Sequence, residues 1–125
     1  MEQELIGIEV LEDPKYQSPW EREKLAEKNN LTPELIDRLS KDQGIYVREA
    51  IAKRPDLTSG QIDILTHDED KWVREAIAKR GDLTAEQVIR LLQDEAPEVR
   101  LAIADNPLLL KMLKGLKKKK RGLKL

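Results

Sequence analysis

Apolar residues in this chain come in short clusters that return at a fixed interval. Val47, Ala50 and Ile51 reappear as Val73, Ala76 and Ile77 and again as Val99, Ala102 and Ile103, each set 26 residues after the last. Spacings of three and four residues within a cluster mark a helix buried along one side. Between them falls a second series: Leu35, Ile36 and Leu39, then Ile62 and Leu65, then Val88, Leu91 and Leu92. The interval extends to whole words of sequence. Val47 to Arg54 is repeated letter for letter as Val73 to Arg80, while Leu57 and Leu83, Thr58 and Thr84, and Asp68 and Asp94 keep the same offset. Glu21 to Ala26 is a degenerate copy one interval earlier, and Val99 to Ala104 one interval later. Self-similarity at such a period predicts units that bury their apolar faces only against neighbouring units.

Polar punctuation divides each interval into two short helices. The first opens at Ser18-Pro19-Trp20-Glu21, which has capping-box spacing with proline at the first helical position, and at Asp70 ahead of Lys71-Trp72-Val73. It stops at Arg54-Pro55, Arg80-Gly81 and Asn106-Pro107, where Pro and Gly end a helix by different means. The second starts at Thr32-Pro33, Thr58-Ser59-Gly60-Gln61 and Thr84-Ala85-Glu86-Gln87. Ala50 and Ala76 are expected at close helix contacts. Residues 1–17 lie outside the period, and Leu5 to Leu11 reads as a strand-like arm or a turn covering the first unit. Leu108, Leu109, Met112, Leu113 and Leu116 read as a modified closing helix, with Gly115 a weak spot and an overhanging tail from Lys117. The expected fold is all-α: a right-handed α-solenoid of about four short two-helix repeats with N- and C-terminal caps. Its parts are an arm at 1–17, a repeat domain at 18–110 (units at about 18–43, 44–69, 70–95 and 96–110) and a basic helix or tail at 111–125.

Composition narrows the chemistry. Charged residues make up 38% of the chain, which suits the large surface of stacked short helices. The absence of cysteine excludes thiol chemistry, disulfides and cysteine-ligated clusters, and fits a reducing compartment. No apolar run approaches a bilayer span, and Met1 to Glu4 lacks the pattern of a secretory signal, so a cytoplasmic location is expected. The net charge of −1 conceals a division. Eight Lys or Arg and no acid follow Leu110, leaving 15 of the 23 basic side chains against all 24 acids in residues 1–110, a balance of −9.

Four columns attract a functional reading. Arg22, Arg48, Arg74 and Arg100 form either a guanidinium ladder for anions or ties between units. The tie, the favoured reading, pairs each Arg with the Asp six residues before it: Asp42 with Arg48, Asp68 with Arg74, Asp94 with Arg100. Lys53-Arg54 and Lys79-Arg80 lie at helix C-termini, where cations complement the dipole; otherwise they form a basic strip. Trp20, Tyr46 and Trp72 share a position in the first turn and either pack between units or anchor a partner. Lys114, Lys117, Lys118, Lys119, Lys120 and Arg121 belong to a basic segment suited to nucleic acid, an acidic protein, anionic lipid, folding back onto the acidic body, or solubilisation alone. His67, the only histidine, reads as an exposed polar residue, since its column mates are Lys41 and Gln93. No phosphate loop, nucleophile–base pattern or metal-ligand spacing is present, so neither an enzyme nor a cofactor or metal site is expected.

The pattern V-R-x-A-I-A-x-x-P/G-x-L-T with a following D-x-x-x-x-V-R, present from Val47 to Arg74 and from Val73 to Arg100, resembles the leucine-rich repeat variant family. The similarity spans about residues 18–110 and implies an all-helical right-handed superhelix akin to HEAT-like solenoids. A founding type of the family carries a cysteine-rich iron–sulfur module, and a chain without cysteine does not take over that cofactor. The expected role is a non-catalytic, protein-binding scaffold with Trp20, Tyr46, Trp72, Lys53, Arg54, Lys79 and Arg80 as candidate contacts. The alternative is association with nucleic acid through the basic tail; a membrane is not the expected partner, and no small-molecule substrate is indicated.

Overall fold

The computed structural model describes residues 4–122, with side chains through residue 118. All regular structure among these residues is helical. Two 3₁₀ turns, Ile8–Glu12 and Pro14–Gln17, precede eight α-helices: α1 (Pro19–Ala26), α2 (Pro33–Leu39), α3 (Ile45–Ala52), α4 (Ser59–Leu65), α5 (Lys71–Ala78), α6 (Ala85–Leu92), α7 (Pro97–Ala104) and α8 (Pro107–Gly122). Helices of seven or eight residues, as α1 to α7 are, are unstable alone in water. Packing holds them. α1 lies on α3, α3 on α5 and α5 on α7, while α2 packs on α1 and α3, α4 on α5, and α6 on α5 and α7.

The two apolar series meet between these helices. Leu25, Leu35, Leu39, Val47, Ile51, Ile62, Leu65, Val73, Ile77, Val88, Leu91, Val99 and Ile103 are almost wholly withdrawn from water in one continuous cluster. Ala26, Ala52 and Ala78 are fully buried, deeper than the expected pair. Of that pair, Ala76 is buried in the core cluster at the edge of a surface cleft, and Ala50 is half-buried against the cluster.

Most expected caps form. Thr58 and Thr84 make complete capping boxes with Gln61 and Gln87, Thr32 Oγ1 accepts from the Leu35 amide, and Asp70 Oδ1 accepts from the Trp72 amide at 2.8 Å. Ser18 does not cap α1: its side chain makes no such bond, and Pro19 alone presets the first turn. The N-terminal arm joins the body by an isolated bridge, Ile6 donating to the Asn30 carbonyl at 2.7 Å and accepting from the Thr32 amide at 2.9 Å. Ile6, Val10, Leu11 and Tyr16 then pack on the core.

The C-terminal end departs further from expectation. α8 runs unbroken through Gly115 to Gly122, so no helix boundary falls at Lys117. A helical glycine costs about 1 kcal/mol relative to alanine, which the surrounding Leu and Lys, good helix formers, absorb. Leu108, Leu109 and Met112 pack against the core, whereas Leu113 and Leu116 are exposed.

Candidate functional site

Two polar ladders run along the joined helices: the first uses the arginine column expected to tie units together, with a different carboxylate partner, and the second uses arginines expected as helix-end cations or a basic strip. In the first, the carboxylate partner of each Arg lies 20 residues after it, not six before. Arg22 Nε donates to Asp42 at 2.7 Å, Arg48 Nε to Asp68 at 2.9 Å and Arg74 Nε to Asp94 at 2.8 Å, with Nη2 reaching the second oxygen each time. The aspartate six residues earlier contributes its backbone: Arg48, Arg74 and Arg100 donate from Nη1 to the carbonyls of Asp42, Asp68 and Asp94. Each of these carboxylates also accepts an amide two residues on, from Gly44, Asp70 or Ala96. One aspartate thereby fixes both the turn and the arginine of the preceding interval. Sequence spacing found the right columns but could not distinguish carbonyl from carboxylate.

The ionisation of this ladder follows its geometry. Burial opposes the charge on Asp94, but hydrogen bonds from Arg74 and the Ala96 amide outweigh it and hold the carboxyl below its ordinary pKa. Arg74 is raised in turn, chiefly by its hydrogen bond to Asp94.

The second ladder takes Arg54 and Arg80 out of the candidate contact surface. Arg54, only 6% exposed, sends Nη1 to the carbonyls of Ala26 and Lys28 at 2.7 and 2.6 Å, and its fork to Asp56. Arg80 does the same with Ala52, Arg54 and Asp82, and Asn106 Nδ2 takes the carbonyls of Ala78 and Arg80. These side chains satisfy carbonyls left at the C-terminus of the previous helix in the row. The hydrogen bond from Arg80 holds the Asp82 carboxyl below its ordinary pKa. Lys53 and Lys79, by contrast, are exposed and reach back four residues to Glu49 and Glu75, each at 2.9 Å.

What remains on the outer side of the row is a ridge of aromatics. Trp20 (62% exposed), Tyr46 (70%) and Trp72 (49%) occupy one position on α1, α3 and α5. Lys24 lies 4.9 Å from the Trp20 ring centroid and Lys71 lies 5.0 Å from that of Trp72. Between α3 and α5 a cleft of about 380 Å³ is bounded by Tyr46, Trp72, Ala76 and the two Glu–Lys pairs.

The second helices of the pairs carry features that sequence spacing did not single out. A groove of about 850 Å³ between α4 and α6 is lined by six carboxylates, Asp63, Asp68, Glu69, Glu86, Asp94 and Glu95, against two arginines, Arg74 and Arg90, with Ile89 and His67 beside them. His67 is exposed, its Nδ1 2.9 Å from the Asp63 carbonyl. Ile89 and Ile64 are about half exposed. Their columns hold Asp37 and Asp63, and Arg38 and Arg90; an apolar residue in an otherwise charged column is a legible sign of a surface position. On α8, Lys114, Lys117 and Lys118 are exposed, while Lys119, Lys120 and Arg121 lie outside the described side chains. Among the described residues no group of three or more metal-ligand side chains gathers, and no helix is long and apolar enough to cross a membrane.

No protein-family model matches the chain, and neither curated proteins nor solved structures yield a match.

Proposed function

We propose that this chain is a non-catalytic helical-repeat scaffold, a right-handed α-solenoid of the leucine-rich repeat variant kind, that binds another protein along the ridge of its first helices. The exposed aromatic column carries this reading. Three large rings in register, with apolar bodies open to water, are the residue types that dominate binding hot spots. Lys53 and Lys79 beside them supply a polar rim, whereas Arg54 and Arg80 serve the scaffold.

The ridge also limits what fits it. Packed helices lie about 8–10 Å apart, a distance matched by about seven residues of a crossing helix or three of an extended strand. A partner therefore presents aliphatic or aromatic side chains at that interval. The test is affinity capture with the full chain against Trp20→Ala, Tyr46→Ala and Trp72→Ala. A partner held through the ridge is lost from each variant while its denaturation midpoint stays near the parent's. Capture indifferent to all three substitutions removes the ridge from consideration.

The exposed Lys114, Lys117 and Lys118 support a second reading, nucleic-acid association through the basic C-terminal segment. It predicts binding that weakens steeply with salt and persists in the ridge variants. Absence of binding to duplex or single-stranded nucleic acid at low salt ends it.

A further inference from the structure

We propose that two copies of this chain associate by reciprocal docking of their C-terminal helices, each of which stays packed on its own core. The leucine–lysine side of α8 in one copy seats in the acidic groove between α4 and α6 of the other. The contact uses neither the aromatic ridge nor any residue of it, so its fate is independent of the scaffold reading.

The donor surface is the part of α8 that the monomer leaves uncovered. Leu110 is 51% exposed, Leu113 48% and Leu116 62%. With Lys114 and Lys117 they line a mostly apolar depression of about 470 Å³. A Cβ added at Gly115 would meet no atom within 4 Å, so the helix stands clear of the body on that side. The acceptor has the complementary character. Asp63, Glu69, Glu86 and Glu95 supply carboxylates for the lysines, and with Asp68 and Asp94 they outnumber the Arg74 and Arg90 guanidinium groups of the same groove, while Ile89 and, in the adjoining depression, Ile64 supply aliphatic surface for the leucines. The two halves are matched in total charge as well: −9 for residues 1–110 against eight positive side chains after Leu110. α8 packs on α6, and α6 also borders the groove, so donor and acceptor share one end of the molecule. Reciprocal docking therefore closes as a two-fold dimer rather than an open chain.

Other occupants of α8 fit less well. The most continuous apolar arc of the helix, Leu108, Leu109 and Met112, is spent on the core, and on the free side Lys114 and Lys117 stand among the leucines. A bilayer would have to bury those ammonium groups. A phosphate backbone has no aliphatic surface for three leucines.

Sedimentation equilibrium of the full chain tests the proposal. At roughly 0.05 M salt a dimer is expected, dissociating toward monomer at roughly 0.5 M as the charges are screened. Leu113→Lys and Leu116→Lys, at exposed positions, weaken the dimer by about tenfold or more with unchanged circular dichroism. Glu86→Lys with Glu95→Lys weakens it likewise, and adding Lys114→Glu with Lys117→Glu to that variant restores it. A chain that stays monomeric in low salt at every concentration overturns the proposal, as does a dimer indifferent to both sets of substitutions. A monomer that binds phosphatidylserine vesicles or duplex DNA through Leu113 and Lys117 also overturns it, and assigns α8 to that ligand.

Discussion

Arg74 and Arg100 occupy equivalent places on α5 and α7, and their surroundings differ in one respect that organises the rest. Arg74 is buried, bonded behind to the Asp68 carbonyl and ahead to the Asp94 carboxylate. Arg100 keeps the bond behind, to the Asp94 carbonyl at 2.6 Å, but is exposed. The carboxylate it would meet ahead belongs at position 120, and the residue there is Lys120. The interior is therefore closed by the next interval of sequence. At the end of the row that interval is absent, and what stands in its place is a long basic helix with three exposed leucines. The comparison teaches that a column has no fixed energetic value; its worth depends on a neighbour being present to complete it.

The sharpest way to break the comparison is to remove the closing acid. Asp68→Ala leaves the Arg48 guanidinium without its carboxylate, in a pair whose two side chains are each only 7% exposed, and also uncaps the Asp70 amide. Breaking a buried pair from one side costs about 3–5 kcal/mol. Arg100→Ala, at the open end, should stay within about 0.5 kcal/mol. Urea unfolding of both variants measures the contrast, and equal costs would mean that the ladder is not what joins the helices.

Packing draws the same contrast at lower amplitude. Ala78→Leu inserts a larger side chain where Ala78 is fully buried beneath the Asn106 bond to its carbonyl, an overpacking cost of about 1–3 kcal/mol. Ala104→Leu, in the same column on α7, is exposed and should be neutral to within about 0.5 kcal/mol. Thermal denaturation of the pair decides whether burial, rather than column identity, sets the price.

Acid should act on the closed ladder selectively. Asp94 is held below its ordinary pKa in the folded chain, so its contribution is fully present above the unfolded value of about 3.9 and is lost as pH falls through the lower folded one. Asp82, lowered by Arg80, has the same sign. Stability measured downward from about pH 5 should therefore fall less steeply in Asp94→Asn than in the parent chain.

How much of this was legible beforehand follows from what a repeat encodes. Helix positions, threonine caps and the core residues Val47, Ile51, Val73 and Ile77 came directly from period and punctuation, since local chemistry determines them. The direction of the Arg48–Asp68 bond did not, because Asp42 and Asp68 are both within one interval of Arg48 and only packing chooses between a carbonyl and a carboxylate. Arg54 looked like a surface cation beside Lys53; its inward turn depends on the carbonyls of Ala26 and Lys28, which no linear reading brings together. Trp20, Tyr46 and Trp72 are exposed, one of the two readings their column allowed, whereas Arg54 and Arg80 turn inward.

The smallest expected effect probes the open end itself. Gly115 lies within the continuous α8 where an added Cβ meets nothing, so Gly115→Ala gains helix propensity, about 0.8–1 kcal/mol, without any new contact. If the overhanging turns open independently of the body, that gain stays local. Amide hydrogen exchange after residue 112 should then slow by about fourfold or more, while the global unfolding midpoint scarcely moves. If instead the midpoint rises with the exchange protection, α8 unfolds together with the row of first helices. The open end would then be mechanically part of the closed interior, and the contrast between Arg74 and Arg100 would be one of contacts only.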